Sequence, residues 1–128
     1  MSEWIWLRLD VVKALHDRQL AEHGGPSGVR DRGALESALA RPQNLAVYGE
    51  PDAAALAASY AFGIARNHAF IDGNKRTAWV AARLFLELNS VELRFDKIEA
   101  TRTTLALAAG EIGEEELAGW LRERIVGA

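Results

Sequence analysis

From position 68 the chain reads His-Ala-Phe-Ile-Asp-Gly-Asn-Lys-Arg-Thr, ending at Thr77. Ten consecutive residues thus hold a candidate proton acceptor (His68), a carboxylate suited to a hard metal ion (Asp72), a flexible turn (Gly73) and three side chains that seek phosphate oxygens (Asn74, Lys75 and Arg76). Histidine changes charge near neutral pH, so a neutral imidazole at position 68 can take a proton from an attacking hydroxyl. Asp72 is the only carboxylate nearby in sequence, and one carboxylate plus substrate oxygens is an ordinary magnesium environment. The expected chemistry is phosphoryl or nucleotidyl transfer by positioning and charge stabilisation, with no covalent nucleophile.

The same residues also have a reading without chemistry. Asp72 can serve only as a helix N-cap, Gly73 and Asn74 only as turn residues, Lys75 and Arg76 as solvated charges, and His68 as a helix-end histidine. Against it, basic side chains in the first turn of a helix oppose the macrodipole at a cost of about 0.3–1 kcal/mol each. A bound phosphate reverses that sign, because it accepts the free N–H groups of the helix start and pairs with both cations. Nothing elsewhere competes: His16 and His23 lack partners at metal-ligand spacing, and no nucleophile elbow or Gly-rich dinucleotide loop is present.

The elements that must position these residues are helical. A first helix is expected from Asp10 to Glu22, ended by Gly24-Gly25-Pro26, and a short one around Leu35, Ala38 and Leu39 that stops before Pro42. Ala53 to Asn67 is apolar nearly all round, with Leu56, Tyr60 and Ile64 on one stripe, and belongs in the core. A second core helix starts at Asn74, with Val80, Leu84 and Leu88 on one face and Ala78, Ala81 and Phe85 on the next. Phe70 and Ile71, between the two core helices, are expected to face the core and fix the loop. Val91 to Phe95 is expected to be extended, Asp96 with Glu99 to form a capping box ahead of Ile98, Leu105 and Ala108, and Glu114 to Val126 to close the chain as a helix. The expected fold is all-α, a compact bundle of about six helices in a single domain over residues 1–128, with room for one small β-hairpin.

Composition bounds the function. At 128 residues, 49% hydrophobic and 26% charged, the chain has enough apolar material for one core. It has no cysteine, which excludes disulfides and thiolate metal sites and fits a reducing compartment. No signal peptide and no apolar run of membrane-spanning length is present, so a cytoplasmic protein without a membrane role is expected. Net charge is −3, which argues against direct nucleic-acid binding. Yet Arg66, Lys75 and Arg76 face only Asp72 between positions 66 and 76, a local excess of positive charge. A small positive focus in an acidic chain suits a compact anionic ligand.

His68 to Thr77 resembles the signature of the Fic/Doc superfamily and, within it, the death-on-curing (Doc) toxin branch. Gly24-Gly25 through Arg30-Asp31, Leu35-Glu36-Ser37-Ala38, Arg41-Pro42 and Arg66-Asn67 also look like that branch. In the Fic enzymes that transfer AMP to proteins, glycine follows the motif asparagine and a second arginine follows three residues after the first. Here those positions hold Lys75 and Trp79. The resemblance therefore implies a Fic-fold kinase with ATP and Mg2+ bound so that the γ-phosphate lies at His68. It further implies a toxin of a toxin–antitoxin module that phosphorylates a threonine of elongation factor Tu and halts translation.

Carried over by position, His68 is the base, Asp72 the catalytic carboxylate and magnesium ligand, and Gly73, Asn74, Lys75 and Arg76 the phosphate grip, with backbone N–H groups from Gly73 onward. Arg66 matches an arginine of the branch and joins the phosphate-binding set. Gly73 is the Fic-like choice where some Doc proteins carry alanine, which keeps an AMP-transferase open as an alternative. A third reading is a non-catalytic helical module that binds a nucleotide or a partner. The inhibitory helix pattern of many Fic enzymes is absent from the sequence, so restraint is expected from a Phd-type antitoxin whose tail folds into a groove. Trp4, Trp6 and Trp120 are candidates to line it, or else core and rim packing.

Overall fold

The computed structural model describes residues 3–126. Six α-helices follow in order among them: α1 (Leu9–His23), α2 (Arg32–Tyr48), α3 (Ala53–Asn67), α4 (Asn74–Leu88), α5 (Lys97–Ala108) and α6 (Glu114–Arg124). The strand β1 (Glu92–Leu93) lies between α4 and α5, and β2 (Ile125–Val126) follows α6. This is the all-α class that the periodicity calls for. Three helix starts are set by aspartates that accept a backbone N–H three residues on: Asp31 from Ala34 at 3.0 Å, Asp52 from Ala55 at 2.9 Å and Asp96 from Glu99 at 2.9 Å. Each such cap stabilises its helix by about 1 kcal/mol. No helix among the described residues is long and apolar enough to cross a membrane.

The centre of the molecule is α3. Leu56, Tyr60 and Ile64 are fully buried, as are its alanines 57 and 58, and α2, α4 and α6 pack around it. Small residues let the axes approach: a Cβ added at Gly63 would lie 3.1 Å from Cα and Cβ of Ala38 on α2. That packing explains why α2 does not stop before Pro42, as its sequence suggests, but runs through it to Tyr48. Proline forfeits one hydrogen bond to the carbonyl four residues back, here that of Ala38. Pro42 is itself buried and the helix is held by its neighbours. Tertiary contact overrides a local breaker.

On α4 the buried stripe is Ala78, Ala81, Ala82 and Phe85, whereas Leu88 is 39% exposed. Four further expectations need correcting. α5 buries Ala100, Thr104 and Leu107, leaving Ile98 65% and Leu105 48% exposed, so its inner face lies a residue or two away from the expected one. The helical stretch at the chain end stops at Arg124, and Ile125 and Val126 leave it to pair antiparallel with β1, Glu92 opposite Val126 and Leu93 opposite Ile125. The small sheet thus joins segments far apart in sequence, not the two arms of a hairpin. Asp96 caps α5, but the Glu99 carboxylate accepts from Trp120 Nε1 at 2.9 Å and pairs with Arg124 instead of returning to close a capping box.

Trp4 and Trp6 pack on Phe85, with ring centroids 5.9 and 6.0 Å away, and Trp120 packs on Trp79 at 6.0 Å. All three are half-buried against the core. Tyr60 anchors the N-terminal segment, its hydroxyl accepting the Leu7 N–H at 2.9 Å, and burial pushes its pKa up to about 12.

Candidate functional site

α3 ends at His68, whose backbone turns left-handed at φ 51°, ψ 45°. Glycine is usual at such a helix end, and a side chain there costs about 1–2 kcal/mol. The strain is held by a neighbouring segment. Ala69 O accepts from Arg30 N at 2.8 Å and Asp31 N at 3.1 Å, and Ile71 N donates to Gly28 O at 3.2 Å. Val29 and Phe70 thereby form a one-residue antiparallel bridge. In extended backbone, successive side chains point to opposite sides, which corrects one expectation: Phe70 is 1% exposed, but Ile71 is 51% exposed. Only one of the pair can face the core.

The turn that follows opens α4. Gly73, the residue before the helix, has φ 78° and offers no side-chain cap. The first intrahelical bond runs from Thr77 N to Gly73 O at 3.0 Å, so the N–H groups of Asn74, Lys75 and Arg76 have no acceptor within the helix. The Gly73 N–H is already taken by Asp72 Oδ1 at 2.8 Å. The free row therefore starts at Asn74, one residue later than the sequence suggests. The Asn74 amide folds back on the loop: Oδ1 accepts Phe70 N–H at 3.0 Å and Nδ2 donates to Phe70 O at 2.9 Å. Its side chain holds the turn closed, and only its backbone faces outward unengaged.

These groups share one cavity of about 650 Å³. His68, Asp72 and Gly73 lie on one side of it with Lys75 and Arg76, both exposed. Among the described residues neither cation belongs to an ion pair. The opposite wall comes from α5, through Thr101, Thr104, Leu105 and Ala108. No motif in the sequence marks these four; only the packing of α5 on α3 and α4 brings them here. The two threonine hydroxyls donate to carbonyls of their own helix, Lys97 O and Ala100 O, each at 2.9 Å. Trp79 completes the wall, braced edge-on by Phe95 at 5.0 Å. Arg66 stands apart: it is not in the cavity lining but lies over the Phe62 ring, 5.2 Å from its centroid. A Cβ added at Gly110 would come within 3.8 Å of its guanidinium.

One contributor was passed over in the sequence because it lies far from the motif. His16 on α1 is 1% exposed and stacks on Phe70, with centroids 3.8 Å apart and planes 8° from parallel. Its Nε2 is 2.7 Å from the carbonyl oxygen of Asp72. A carbonyl only accepts, so Nε2 is the donor in this contact. The Asp72 carboxylate, with Oδ1 on the Gly73 N–H, turns Oδ2 towards Gly25, where an added Cβ would sit 2.7 Å away. Oδ2 has no hydrogen-bond donor among the described residues. One open carboxylate oxygen beside a row of amides and two free cations fits a magnesium ion that arrives with phosphates. It does not fit a cage built from protein alone, since no group of three metal-ligating side chains exists among the described residues.

A model of the Fic/DOC family matches residues 6–86. A protein of Escherichia phage P1, named protein kinase doc, is 40% identical over 110 residues, covering 85% of this chain and 86% of that protein. A protein of Mycolicibacterium smegmatis, named toxin Doc, is 51% identical over 76 residues, covering 57% of this chain and 58% of that protein.

Proposed function

Because the chain belongs to the Fic/DOC family, we propose that it is the toxin of a toxin–antitoxin pair and an ATP-dependent protein kinase. Its target in this reading is a threonine hydroxyl of a translation factor, elongation factor Tu, in the cytoplasm. The observation that carries the proposal is that one cavity is lined by His68, by Asp72 and by Asn74, Lys75 and Arg76, whose amides open α4 and whose two cations belong to no ion pair among the described residues. The names of the two relatives, a kinase and a toxin, support it.

The chemistry follows from the side chains. The γ-phosphate of ATP lies against the amides that open α4, with Lys75 and Arg76 neutralising the charge that spreads over its oxygens. Asp72 would hold a magnesium ion, which would supply Lewis-acid stabilisation of the charge that develops on the leaving group. His68 accepts the proton of the target hydroxyl as its oxygen bonds to the γ-phosphorus. The bond from that phosphorus to the bridging oxygen breaks, and ADP departs. Asn74 contributes by holding the Phe70 backbone, which keeps His68 and Asp72 on either side of a closed turn. Arg66 lies over the Phe62 ring, outside the lining of this cavity.

The direction of transfer rests on Lys75 and Trp79. An indole wall braced by Phe95 offers no cationic contact where an AMP-transferring relative would carry its second arginine. Target mass separates the products after incubation with elongation factor Tu, ATP and Mg2+: a gain of about 80 Da is phosphate and about 329 Da is AMP. A phosphate gain lost in His68→Ala and Asp72→Ala is the expected result. An AMP gain would replace the kinase reading with its alternative, and equal growth arrest by native protein and His68→Ala would point to a non-catalytic module. A Phd-type antitoxin is the expected partner, and its co-expression relieves the arrest.

A further inference from the structure

We propose that His16 is a positioning residue of the transfer site, setting from α1 the direction in which the Asp72 carboxylate points. The inference rests on the kinase reading for its consequence in catalysis, but its geometry stands without it. Three contacts determine where that carboxylate lies. The His16 Nε2–H holds the Asp72 carbonyl at 2.7 Å, the Gly73 N–H holds Oδ1 at 2.8 Å, and the bare backbone of Gly25 leaves room for Oδ2. Two of the three come from α1 and the turn just after it.

The ring is also built into a rigid seat. His16 lies flat on Phe70, whose own N–H and carbonyl are both held by Asn74. A Cβ added at Gly73 would lie 3.6 Å from the imidazole and from Leu20, another α1 residue. The loop from Phe70 to Gly73 therefore rests on one face of α1, and among the described residues the polar contact in that seat is the imidazole N–H. An imidazole buried to this degree needs its hydrogen bond, and an apolar ring would fill the same space without the cost of burying a polar group. A residue there for packing alone is replaceable by phenylalanine; a residue that aims Asp72 is not.

The two roles separate with His16→Phe, which keeps the flat ring, and His16→Gln, whose amide nitrogen reaches about as far as Nε2. Two measurements need no catalysis. Imidazole 15N shifts of the native protein should report the Nε2-protonated tautomer. Hydrogen exchange at the Ile71 and Gly73 amides should be about tenfold faster in His16→Phe and return to near native in His16→Gln. The third is the Mg2+ dependence of target phosphorylation by the folded variants. Half-saturation should rise at least about tenfold in His16→Phe, as for other residues that orient a metal ligand, and recover in His16→Gln.

An Nδ1-protonated native tautomer overturns the proposal, and so does native-like exchange together with native-like Mg2+ dependence in His16→Phe. Failure of a folded His16→Gln to recover either readout does the same. If the native protein transfers no phosphate at all, the kinase reading falls, and the tautomer and exchange measurements still decide whether His16 holds the loop.

Discussion

A methyl group placed at position 25, outside the motif, should impair transfer by moving a carboxylate within it. Gly25 has φ 118°, and a Cβ built on it would lie 2.7 Å from Asp72 Oδ2 and 3.4 Å from Leu20 Cδ2. Carbon and oxygen atoms settle at about 3.5 Å, so the carboxylate must retreat by roughly 0.8 Å or pull the turn with it. A displacement of that order in a reacting constellation costs on the order of 10- to 100-fold in rate. Backbone strain adds about 1–3 kcal/mol of lost stability. Gly24 provides the control: it too has positive φ, 77°, but nothing lies within 4 Å of its added Cβ. Gly24→Ala should therefore lose comparable stability in denaturant unfolding and keep most of its activity at a temperature where both variants are folded. Gly25→Ala should lose activity beyond what its stability explains, with a raised Mg2+ requirement. Equal activities for the two variants would refute the reasoning, because strain alone would then account for both.

Three other perturbations probe the same frame. His68→Gly and His68→Ala should both abolish transfer, while the glycine variant is the more stable of the two by about 1 kcal/mol in denaturant melts, since only glycine adopts φ 51° without strain. Asn74→Ala removes both hydrogen bonds to the buried Phe70 backbone; it should cost about 1–3 kcal/mol and speed exchange of the Phe70 amide, and an unchanged melting curve would show that the amide holds nothing. Tyr60→Phe leaves the Leu7 N–H without its acceptor and should destabilise by about 1–3 kcal/mol at neutral pH. Burial raises the Tyr60 pKa to about 12. That contribution is complete below the ordinary tyrosine value near 10 and is lost as pH rises through the folded one. The native protein should thus lose stability between about pH 10 and 12 more steeply than Tyr60→Phe, as followed by urea unfolding at each pH.

The helices α3 and α4 could be read from the chain almost to the residue because their signals are local. Asp52 caps one, Gly73 opens the other, and the apolar stripes between need no knowledge of what they pack against. Local signals misled where a neighbour outweighed them. Pro42 should end a helix, yet α2 continues because Ala38 packs against Gly63 of α3 and Pro42 is itself buried. Ile98 and Leu105 look like core residues, yet α5 is rotated to bury Ala100, Thr104 and Leu107. Ile71 shares its composition with Phe70 but not its direction, because the Val29–Phe70 bridge makes that stretch extended.

The candidate site divides along the same line. Sequence alone determined which groups are candidates for phosphoryl chemistry, since His68, Asp72, Lys75 and Arg76 lie within ten residues and a helix start must leave amides free. Only the tertiary structure decided what those groups face and what holds them. It set α5 across the cavity, moved Arg66 out of it onto Phe62, turned the Asn74 amide inward, and brought His16 from α1 under the Asp72 carbonyl. The reason is physical: chemistry resides in residue types that a short motif can carry, whereas position depends on contacts between segments whose distance along the chain bears no relation to their distance in space.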